Sequence, residues 1–326
     1  MREFRIAQPG TVEELAALLA ETKEKTALMA GGTDLIDELK SGVSQAGLVV
    51  DLQGIASLSG LARDKDGLRI GPLTTVEKLA ANPEVDNDYA ILREAALSLA
   101  TPQLRHAGTV GGNLCQRPRC WYYRDPEVVC RKKGGQHCFA FRGRNKYHAI
   151  MGGGACFIVY PSDLAPALIS LGAKVTIGSD KGDRTLPLEE FYQPPSVDVT
   201  RENALGPGEF LKEIRVPAPK AGQKGAYVKI KERGTWDFAL ASAAASGVVK
   251  DGVLAEISIV AGGVAPVPRR MARAEAALKG KTITEEIAAR AAAEALKDAT
   301  PLAENAYKKD LAAAAIKRAV LALVGT

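Results

Sequence analysis

Five cysteines lie together in one segment between Cys115 and Cys156, and the chain has no others. Their successive spacings are 5, 10, 8 and 18 residues, so the chain lacks the C-x-x-C pairs that many zinc sites use. An odd number of cysteines in so short a segment argues against a disulfide framework and favours a metal or redox site. Such wide spacings suit a loop wrapped around an iron–sulfur cluster, which needs about four thiolates, better than a zinc knuckle. Free or merely buried cysteines are expected to be scattered along a chain instead.

Two glycine-rich motifs could bind a phosphorylated ligand from two sides. The first is Ala30-Gly31-Gly32-Thr33-Asp34 and the second runs from Gly108 to Asn113. Consecutive glycines allow several backbone N–H groups to converge on one anion, which suits a pyrophosphate. The alternative is an ordinary tight turn. Neither motif matches the Rossmann fingerprint, and Gly280-Lys281-Thr282 lacks the upstream glycine of a Walker A loop, so the usual nucleotide-binding folds are disfavoured.

The cysteine segment is also strongly basic, although the whole chain has a net charge of only +5. Asp125 and Glu127 are its only acidic residues between positions 116 and 146. The basic residues there are Arg117, Arg119, Arg124, Arg131, Lys132, Lys133, Arg142, Arg144 and Lys146. These cations would stabilise an anionic cluster and tune its potential. The competing interpretation is a nucleic-acid surface, with the interleaved aromatic residues 121–123 as stacking groups on a zinc-stabilised module.

The three histidines, His106, His137 and His148, do not have the helical spacing of a metal-binding pair. The chain also has no G-x-S-x-G element, so zinc hydrolase and serine hydrolase chemistry are unsupported. We expect all three to be structural, with His137 a minor candidate ligand because it adjoins Cys138.

The elements that position these residues follow an α+β pattern over 326 residues, a length that suggests about two domains. A strand over 27–30 should end in the first glycine motif, and the following LIDELKSG should form a helix that Gly42 closes. A second strand is expected at 48–52 and a helix at 89–100. Thr11 with Glu14, and Thr74 with Glu77, predict capping boxes.

Later segments continue this pattern. The glycines of 101–113 should break any helix or strand, and strands should follow at CFIVYP and AKVTIG. The stretch 194–224, rich in proline and glycine, is the best linker candidate. Two strands, GAYVKIKERG and GVLAEISIVAGG, should precede helices over 283–297 and 306–323. No export signal and no apolar run long enough to span a membrane is evident, so we expect a soluble protein.

The chain resembles the FAD-binding (medium) subunit of the xanthine dehydrogenase and aldehyde oxidoreductase family of molybdenum hydroxylases. The resemblance covers nearly the whole chain and rests on AGGTDL at 30–35, TPQLRHAGTVGGNL at 101–114, PSDLAPALISLGA at 161–173 and KERGTWDFALAS at 231–242. Within that family, RCWYYRDP, the basic loop and YHAIMGG resemble the subgroup with an inserted 4Fe-4S cluster. That subgroup includes periplasmic aldehyde oxidoreductases and 4-hydroxybenzoyl-CoA reductase.

The resemblance implies specific cofactor-binding residues. Those around FAD would be Leu28, Met29, Ala30, Gly31, Gly32, Thr33, Asp34, Leu35, Ile36, Thr101, Gly108, Thr109, Val110, Gly111, Gly112, Asn113, Asp163 and Lys229. Among these, Asp163 resembles an FAD-contacting aspartate and Lys229 a lysine near the isoalloxazine. The cluster ligands would be Cys120, Cys130, Cys138 and Cys156. Cys115 directly follows the G-G-N motif and is left out, although it could replace Cys120 or Cys156.

The resemblance also implies a fold. We expect an α+β, two-lobed FAD-binding domain of the vanillyl-alcohol-oxidase (PCMH) type over 1–220, followed by a small α+β C-terminal domain over 221–326. The lobes would cover about 1–55 and 56–220, with the cysteine-rich cluster loop at 115–156.

The implied function is electron transfer within a complex. A large molybdenum-cofactor subunit and a small 2Fe-2S subunit would be its partners, and no hydroxylation by this chain alone is expected. The external acceptor would be ferredoxin, a quinone, NAD or oxygen, with Lys132 and Lys133 a hypothetical surface for an acidic carrier. We expect a cytoplasmic location, or a periplasmic one if a partner carries the signal. The alternatives are a stand-alone flavin oxidoreductase with a structural cysteine loop and the zinc-stabilised nucleic-acid-binding module.

Overall fold

Three β-sheets organise the chain, and each takes all its strands from one continuous part of the sequence. The computed structural model describes residues 1–250 and 252–325. In those two ranges, no helix combines the length and apolar character needed to cross a membrane.

The first sheet carries the first glycine motif. Its strands are parallel, in the order β1-β3-β2, and are connected through two helices. These elements are β1 (Arg5–Ala7), α1 (Val12–Glu21), β2 (Thr26–Met29), α2 (Leu35–Lys40) and β3 (Leu48–Asp51). Thr11 Oγ1 caps α1 by accepting from Glu14 N, and Glu14 Oε2 accepts from Gly10 N. Since β2 ends at Met29, the glycine motif follows at its carboxyl end.

The second sheet is antiparallel, with the order β4-β5-β8-β6-β7. Its strands are β4 (Leu61–Asp64), β5 (Gly67–Ile70), β6 (Lys174–Gly178), β7 (Arg184–Pro187) and β8 (Phe210–Pro217). The prediction of a linker over 194–224 was wrong because β8 is the central strand of this sheet. Its alternating Ile214 and Val216 are fully buried, and this burial outweighs the surrounding prolines and glycines.

CFIVYP forms no strand, contrary to the prediction. Its backbone makes isolated hydrogen bonds instead, from Ala149 N to Phe157 O and from Tyr160 N to Ala265 O. The segment is therefore an extended stretch of chain that leads from the cysteine segment to the helix Leu164–Ser170.

Eight short helices accompany the second sheet in the described ranges. They are α3 (Val76–Ala80), α4 (Pro83–Asp88), α5 (Ala90–Leu97), α6 (Pro102–Ala107), α7 (Val110–Cys115), α8 (Trp121–Arg124), α9 (Leu164–Ser170) and α10 (Leu188–Phe191). Contrary to the prediction, the glycines of 101–113 do not prevent helix formation, because Gly111 lies inside α7 and packs where a Cβ would meet Pro72. The predicted helix over 89–100 ends early, at Leu97. Thr75 rather than Thr74 caps α3.

The third sheet and three helices form the C-terminal part. Strands β9 (Gln223–Ile230), β10 (Ala241–Lys250), β11 (Val253–Gly262) and β12 (Arg269–Arg270) are antiparallel in the order β12-β11-β10-β9. The helices are α11 (Ala272–Leu278), α12 (Glu285–Ala295) and α13 (Tyr307–Ala322). Alternating alanines of β10 and alanines of α13 share one buried core, so small side chains allow helix and sheet to approach closely.

Candidate functional site

The first glycine loop, residues 30–34, leaves several backbone donors free. Gly32 has a φ of +71°, a left-handed conformation that favours glycine. A Cβ on Gly31 would overlap the carbonyl oxygen of Ala107. Within the described ranges, the N–H groups of Gly32, Thr33 and Asp34 donate no hydrogen bond. They are therefore available to an anionic ligand.

The second glycine loop, residues 108–113, lies against the first. Thr109 Oγ1 accepts from Gly112 N at 3.0 Å, and Gly111 N donates to Pro72 O at 2.8 Å. Because Gly31 sits directly on Ala107 and Gly108, two motifs that are distant in sequence form one concave surface. This is the two-sided arrangement expected of a clamp on one ligand.

Three adjoining cavities, which we call the glycine groove, follow these loops. They measure about 280, 450 and 380 Å³. The first two share Thr33, Asp34, Thr109, Gly112 and Gln116. The last two share Arg119, Asp163, Arg233, Asp237 and Phe238. The groove therefore runs from the glycine loops toward the segment at 231–240.

Most of the predicted FAD residues line the groove. Those that do are Leu28, Ala30, Gly31, Gly32, Thr33, Asp34, Leu35, Gly108, Thr109, Gly111, Gly112, Asn113 and Asp163. Five others line none of the three cavities: Met29, Ile36, Thr101, Val110 and Lys229. Val110 is fully buried in the core, and Ile36 is largely exposed. Thr101 caps α6 by accepting from Leu104 N.

A buried triad of Asp163, Tyr227 and Lys229 meets the groove through Asp163, the one member of the three that lines it. Asp163 accepts from Tyr227 Oη at 2.6 Å and from Lys229 Nζ at 2.8 Å. Burial raises the pKa of Tyr227 well above its usual value, and the neighbouring Asp163 charge adds to this. Tyr227 was not predicted as a site residue, although the two-residue period of β9 places it on the same face as Lys229.

The cysteine segment forms a second, smaller site. Cys120, Cys130, Cys138 and Cys156 line one small cavity, which we call the cysteine cavity. Cys115 lies elsewhere, in the groove, where burial raises the pKa of its thiol to about 12. Burial raises the pKa of Cys120 to about 11. A hydrogen bond from Cys156 lowers the pKa of Cys138 and raises that of Cys156.

His148 also lines the cysteine cavity, with Nε2 3.2 Å from Cys120 Sγ. Desolvation and the nearby Lys308 lower its pKa to about 4. His137, the minor candidate ligand, is exposed and does not line this cavity. In the part of the chain that the structure describes, no group of three or more His, Cys, Asp or Glu side chains is arranged to hold a metal ion.

Buried charges join the cysteine segment to the rest of the site. Asp34 in the first glycine loop pairs with Arg124 at 2.7 Å and with Arg119 at 3.0 Å. Glu38 Oε1 accepts from Tyr123 Oη at 2.8 Å, while burial raises the pKa of Glu38. Many of the segment's cations are therefore engaged inside the protein.

Lys132 is the clearest case, because its Nζ lies 2.5 Å from Glu202 Oε1 and both side chains are almost fully buried. The hypothesis that Lys132 belongs to an exposed surface for an acidic carrier was wrong. The exposed cations of the segment are Arg131, Arg142, Arg144 and Lys146.

The aromatic residues expected as nucleic-acid stacking groups pack against neighbouring side chains, although Trp121 among them stays 40% exposed. The rings of Trp121 and Tyr122 lie 5.6 and 6.1 Å from that of His148, and Tyr123 is buried. Tyr122 and Tyr123 line the cysteine cavity and Trp121 packs against His148, so the three residues do not present a free row of ring faces.

Two family models match the chain. Residues 2–219 match the family described as the FAD binding domain in molybdopterin dehydrogenase. Residues 226–323 match the CO dehydrogenase flavoprotein C-terminal domain.

Curated relatives resemble the chain over nearly its whole length. The aldehyde oxidoreductase FAD-binding subunit PaoB of Escherichia coli is 37% identical over 317 residues, covering 96% of this chain and 95% of that protein. The carbon monoxide dehydrogenase medium chain of Hydrogenophaga pseudoflava is 28% identical over 323 residues, covering 97% and 96%.

Solved structures share the fold. A carbon monoxide dehydrogenase structure from Hydrogenophaga pseudoflava matches with a TM-score of 0.80 and 28% identity, over 99% of this chain and 98% of that one. Quinoline 2-oxidoreductase from Pseudomonas putida 86 matches with a TM-score of 0.77 over 99% and 97%, and at 23% identity this likeness concerns the fold alone.

Proposed function

The chain belongs to the FAD-binding subunits of the molybdenum hydroxylase family, and we propose that it binds FAD in the glycine groove and a 4Fe-4S cluster in the cysteine cavity. In this proposal the subunit passes electrons between a 2Fe-2S partner subunit and an external acceptor. The observation that carries the proposal is that the two sites adjoin, since Cys120, His148 and Ile158 line both the cysteine cavity and the 380 Å³ cavity of the groove.

The glycine loops would hold the FAD pyrophosphate. The free N–H groups of Gly32, Thr33 and Asp34 supply donors to its oxygens, and the glycines of both loops let the backbone approach closely. Thr109 keeps the second loop in shape through its bond to Gly112 N. Residues 1–220 would thus form the FAD-binding unit, with 221–326 completing the far wall of the groove.

The Asp163 triad would face the flavin ring. FAD supplies the ability to accept two electrons and release them singly. Lys229 and Tyr227 hold Asp163 in one orientation, because the carboxylate accepts from both and is buried with them. The triad therefore presents a fixed carboxylate to the groove rather than a mobile side chain.

The cysteine cavity has the donor set of a cluster. Four thiol groups line one space, which is the kind and number of ligands that a 4Fe-4S cluster uses. Lys132 lines the same cavity and places one positive charge beside the thiol groups. Cys115 lies outside it and would not be a ligand.

The partner subunits follow from the family. The relatives are named as an FAD-binding subunit and as medium chains, so we propose that this chain also works beside a large molybdenum subunit and a small 2Fe-2S subunit. Exposed Arg131, Arg142 and Arg144 would face an acidic one-electron carrier such as ferredoxin, in preference to a quinone, NAD or oxygen.

The decisive experiment is cofactor analysis of anaerobically purified protein. We expect one FAD and about four irons with matching sulfide per chain. Cys138→Ser should lose most of the iron, whereas the matched variant Cys115→Ser should retain it. FAD without iron in the wild type would contradict the cluster and favour a structural cysteine loop. A colourless protein that contains zinc would contradict both sites.

A further inference from the structure

His148 stands in the wall between the two proposed cofactor sites. It lines both the cysteine cavity and the adjoining cavity of the groove. Its Nε2 lies 3.2 Å from Cys120 Sγ, which is hydrogen-bonding distance to sulfur. Its side chain is buried, and Nδ1 has no hydrogen-bond partner in the described part of the chain.

The geometry determines which nitrogen carries the proton. When Cys120 is a thiolate ligand, its sulfur has no hydrogen to donate, so a bare Nε2 would face only sulfur lone pairs and a buried Nδ1–H would lack an acceptor. With the proton on Nε2, the ring donates to Cys120 and leaves only an unpaired acceptor at Nδ1. An N–H···S bond gains further strength when the sulfur is a thiolate.

The C-terminal part of the chain holds His148 in this position. Asn305 Nδ2 and Lys308 Nζ each donate to His148 O at 3.1 Å. Lys308 also donates to Tyr147 O and Gly263 O, so a single buried ammonium joins the end of the cysteine segment to the third sheet. The Trp121 ring packs against the imidazole from the other side. The side chain is therefore fixed by tertiary contacts.

From this arrangement we infer that His148 donates a hydrogen bond from Nε2 to Cys120 Sγ and thereby raises the reduction potential of the cluster. This inference rests on the proposed 4Fe-4S site. A donor to a ligand sulfur withdraws electron density from the cluster and stabilises its reduced, more negative state. His148 is thus a positioning and tuning residue at the boundary between cluster and flavin, and no ligand itself.

The test is the cluster's midpoint potential in the purified complex, measured by redox titration followed by electron paramagnetic resonance. His148→Phe keeps a planar ring but removes the donor, and should lower the equilibrium constant for reduction about tenfold, which is about 59 mV for one electron. His148→Gln retains an N–H donor and should recover at least half of the shift. The control His137→Phe alters an exposed histidine of the same segment and should leave the potential unchanged.

A second measurement is independent of variants at position 148. In wild-type protein labelled with ¹⁵N-histidine, the reduced cluster should show a coupled histidine nitrogen, and His137→Phe should keep it. An iron-loaded wild type without this coupling, or an iron-loaded His148→Phe with unchanged potential, would overturn the inference while leaving the cluster in place. A wild type without iron would instead refute the proposed cluster.

Discussion

Asp34 Oδ1 lies 2.7 Å from Arg124 Nη2, and this ion pair joins the first glycine loop to the cysteine segment. The other carboxylate oxygen of Asp34 accepts from Arg117 N at 2.7 Å. The Asp34 and Arg124 side chains are 17% and 13% exposed, so water screens this pair less than a surface pair. The groove and the cysteine segment are therefore joined by one polar network.

Asp34→Asn should weaken both the fold and the FAD site. Removing the charge leaves partly buried Arg124 and Arg119 without their shared counterion, and we expect the free energy of unfolding to fall by about 2 kcal/mol. FAD affinity should fall as well, because the loop that carries the free N–H groups loses its anchor. Urea denaturation and flavin titration measure the two effects.

The matched control for this prediction is Asp37→Asn. Asp37 also meets Arg124, but at 3.4 Å and with a side chain that is 73% exposed. We expect a change below about 0.5 kcal/mol. Equal effects of the two substitutions would show that Asp34 is no more than a surface charge.

Gly31→Ala should abolish tight FAD binding. The new methyl group would overlap the carbonyl oxygen of Ala107, so the two glycine loops would have to separate. We expect at least about a tenfold loss of FAD affinity, which corresponds to a loss of about 1.4 kcal/mol in binding free energy. Gly234→Ala is the control, because Gly234 has open space around its Cβ position and no left-handed φ. Flavin fluorescence titration of both variants tests this, and similar affinities would contradict the role assigned to the contact between the loops.

The glycine loops were predictable from sequence because Gly31-Gly32 directly after a strand allows a left-handed backbone and a close backbone approach that other residues do not. The pairing of Asp34 with Arg124 was not, since the two residues are 90 positions apart and each has other charged neighbours. In the same way, the spacing of the cysteines indicated a common site but did not predict that His148 would lie beside it. His148 approaches Cys120 only because Asn305 and Lys308 hold its backbone.

The errors in the fold prediction have a common physical cause. Local composition suggested a linker over 194–224 and a strand at CFIVYP. In both segments, the presence or absence of a neighbouring strand determined whether a strand formed. β8 forms because β5 and β6 offer hydrogen-bonding edges on its two sides, and CFIVYP has no such neighbour in the described ranges. Helix α7 forms despite Gly111 because Pro72 packs where a side chain would stand.

Lys132→Met should destabilise the protein far more than the same change at Lys133. Lys132 and Glu202 are 1% and 3% exposed, so removing the lysine leaves a buried carboxylate that only Arg117 still neutralises. We expect a loss of about 3 kcal/mol in the free energy of unfolding. Lys133 is half-buried and donates to Asp125 O, so Lys133→Met should cost less than about 1 kcal/mol. Urea denaturation of both variants tests this prediction. Equal losses in the free energy of unfolding would contradict the importance of the buried pair.

Lys308 should make stability rise with pH above neutrality. Burial lowers the pKa of its ammonium from 10.5 to about 7. Between these two values the unfolded chain binds more protons at this position than the folded chain, so the free energy of unfolding increases with pH. Below pH 7 both states are protonated, and the group adds no slope.

Lys308→Met removes this titration, so the stability difference between wild type and variant should grow by up to about 1.4 kcal/mol per pH unit over that window. The carbonyl oxygens of Tyr147, His148 and Gly263 favour the ammonium and make this figure an upper limit. Lys309→Met, at the exposed neighbouring position, should run parallel to the wild type. Urea denaturation between pH 7 and pH 10 measures the three slopes. A Lys308→Met slope equal to that of the wild type would mean that Lys308 keeps its proton throughout, as a fixed positive charge beside the cysteine segment.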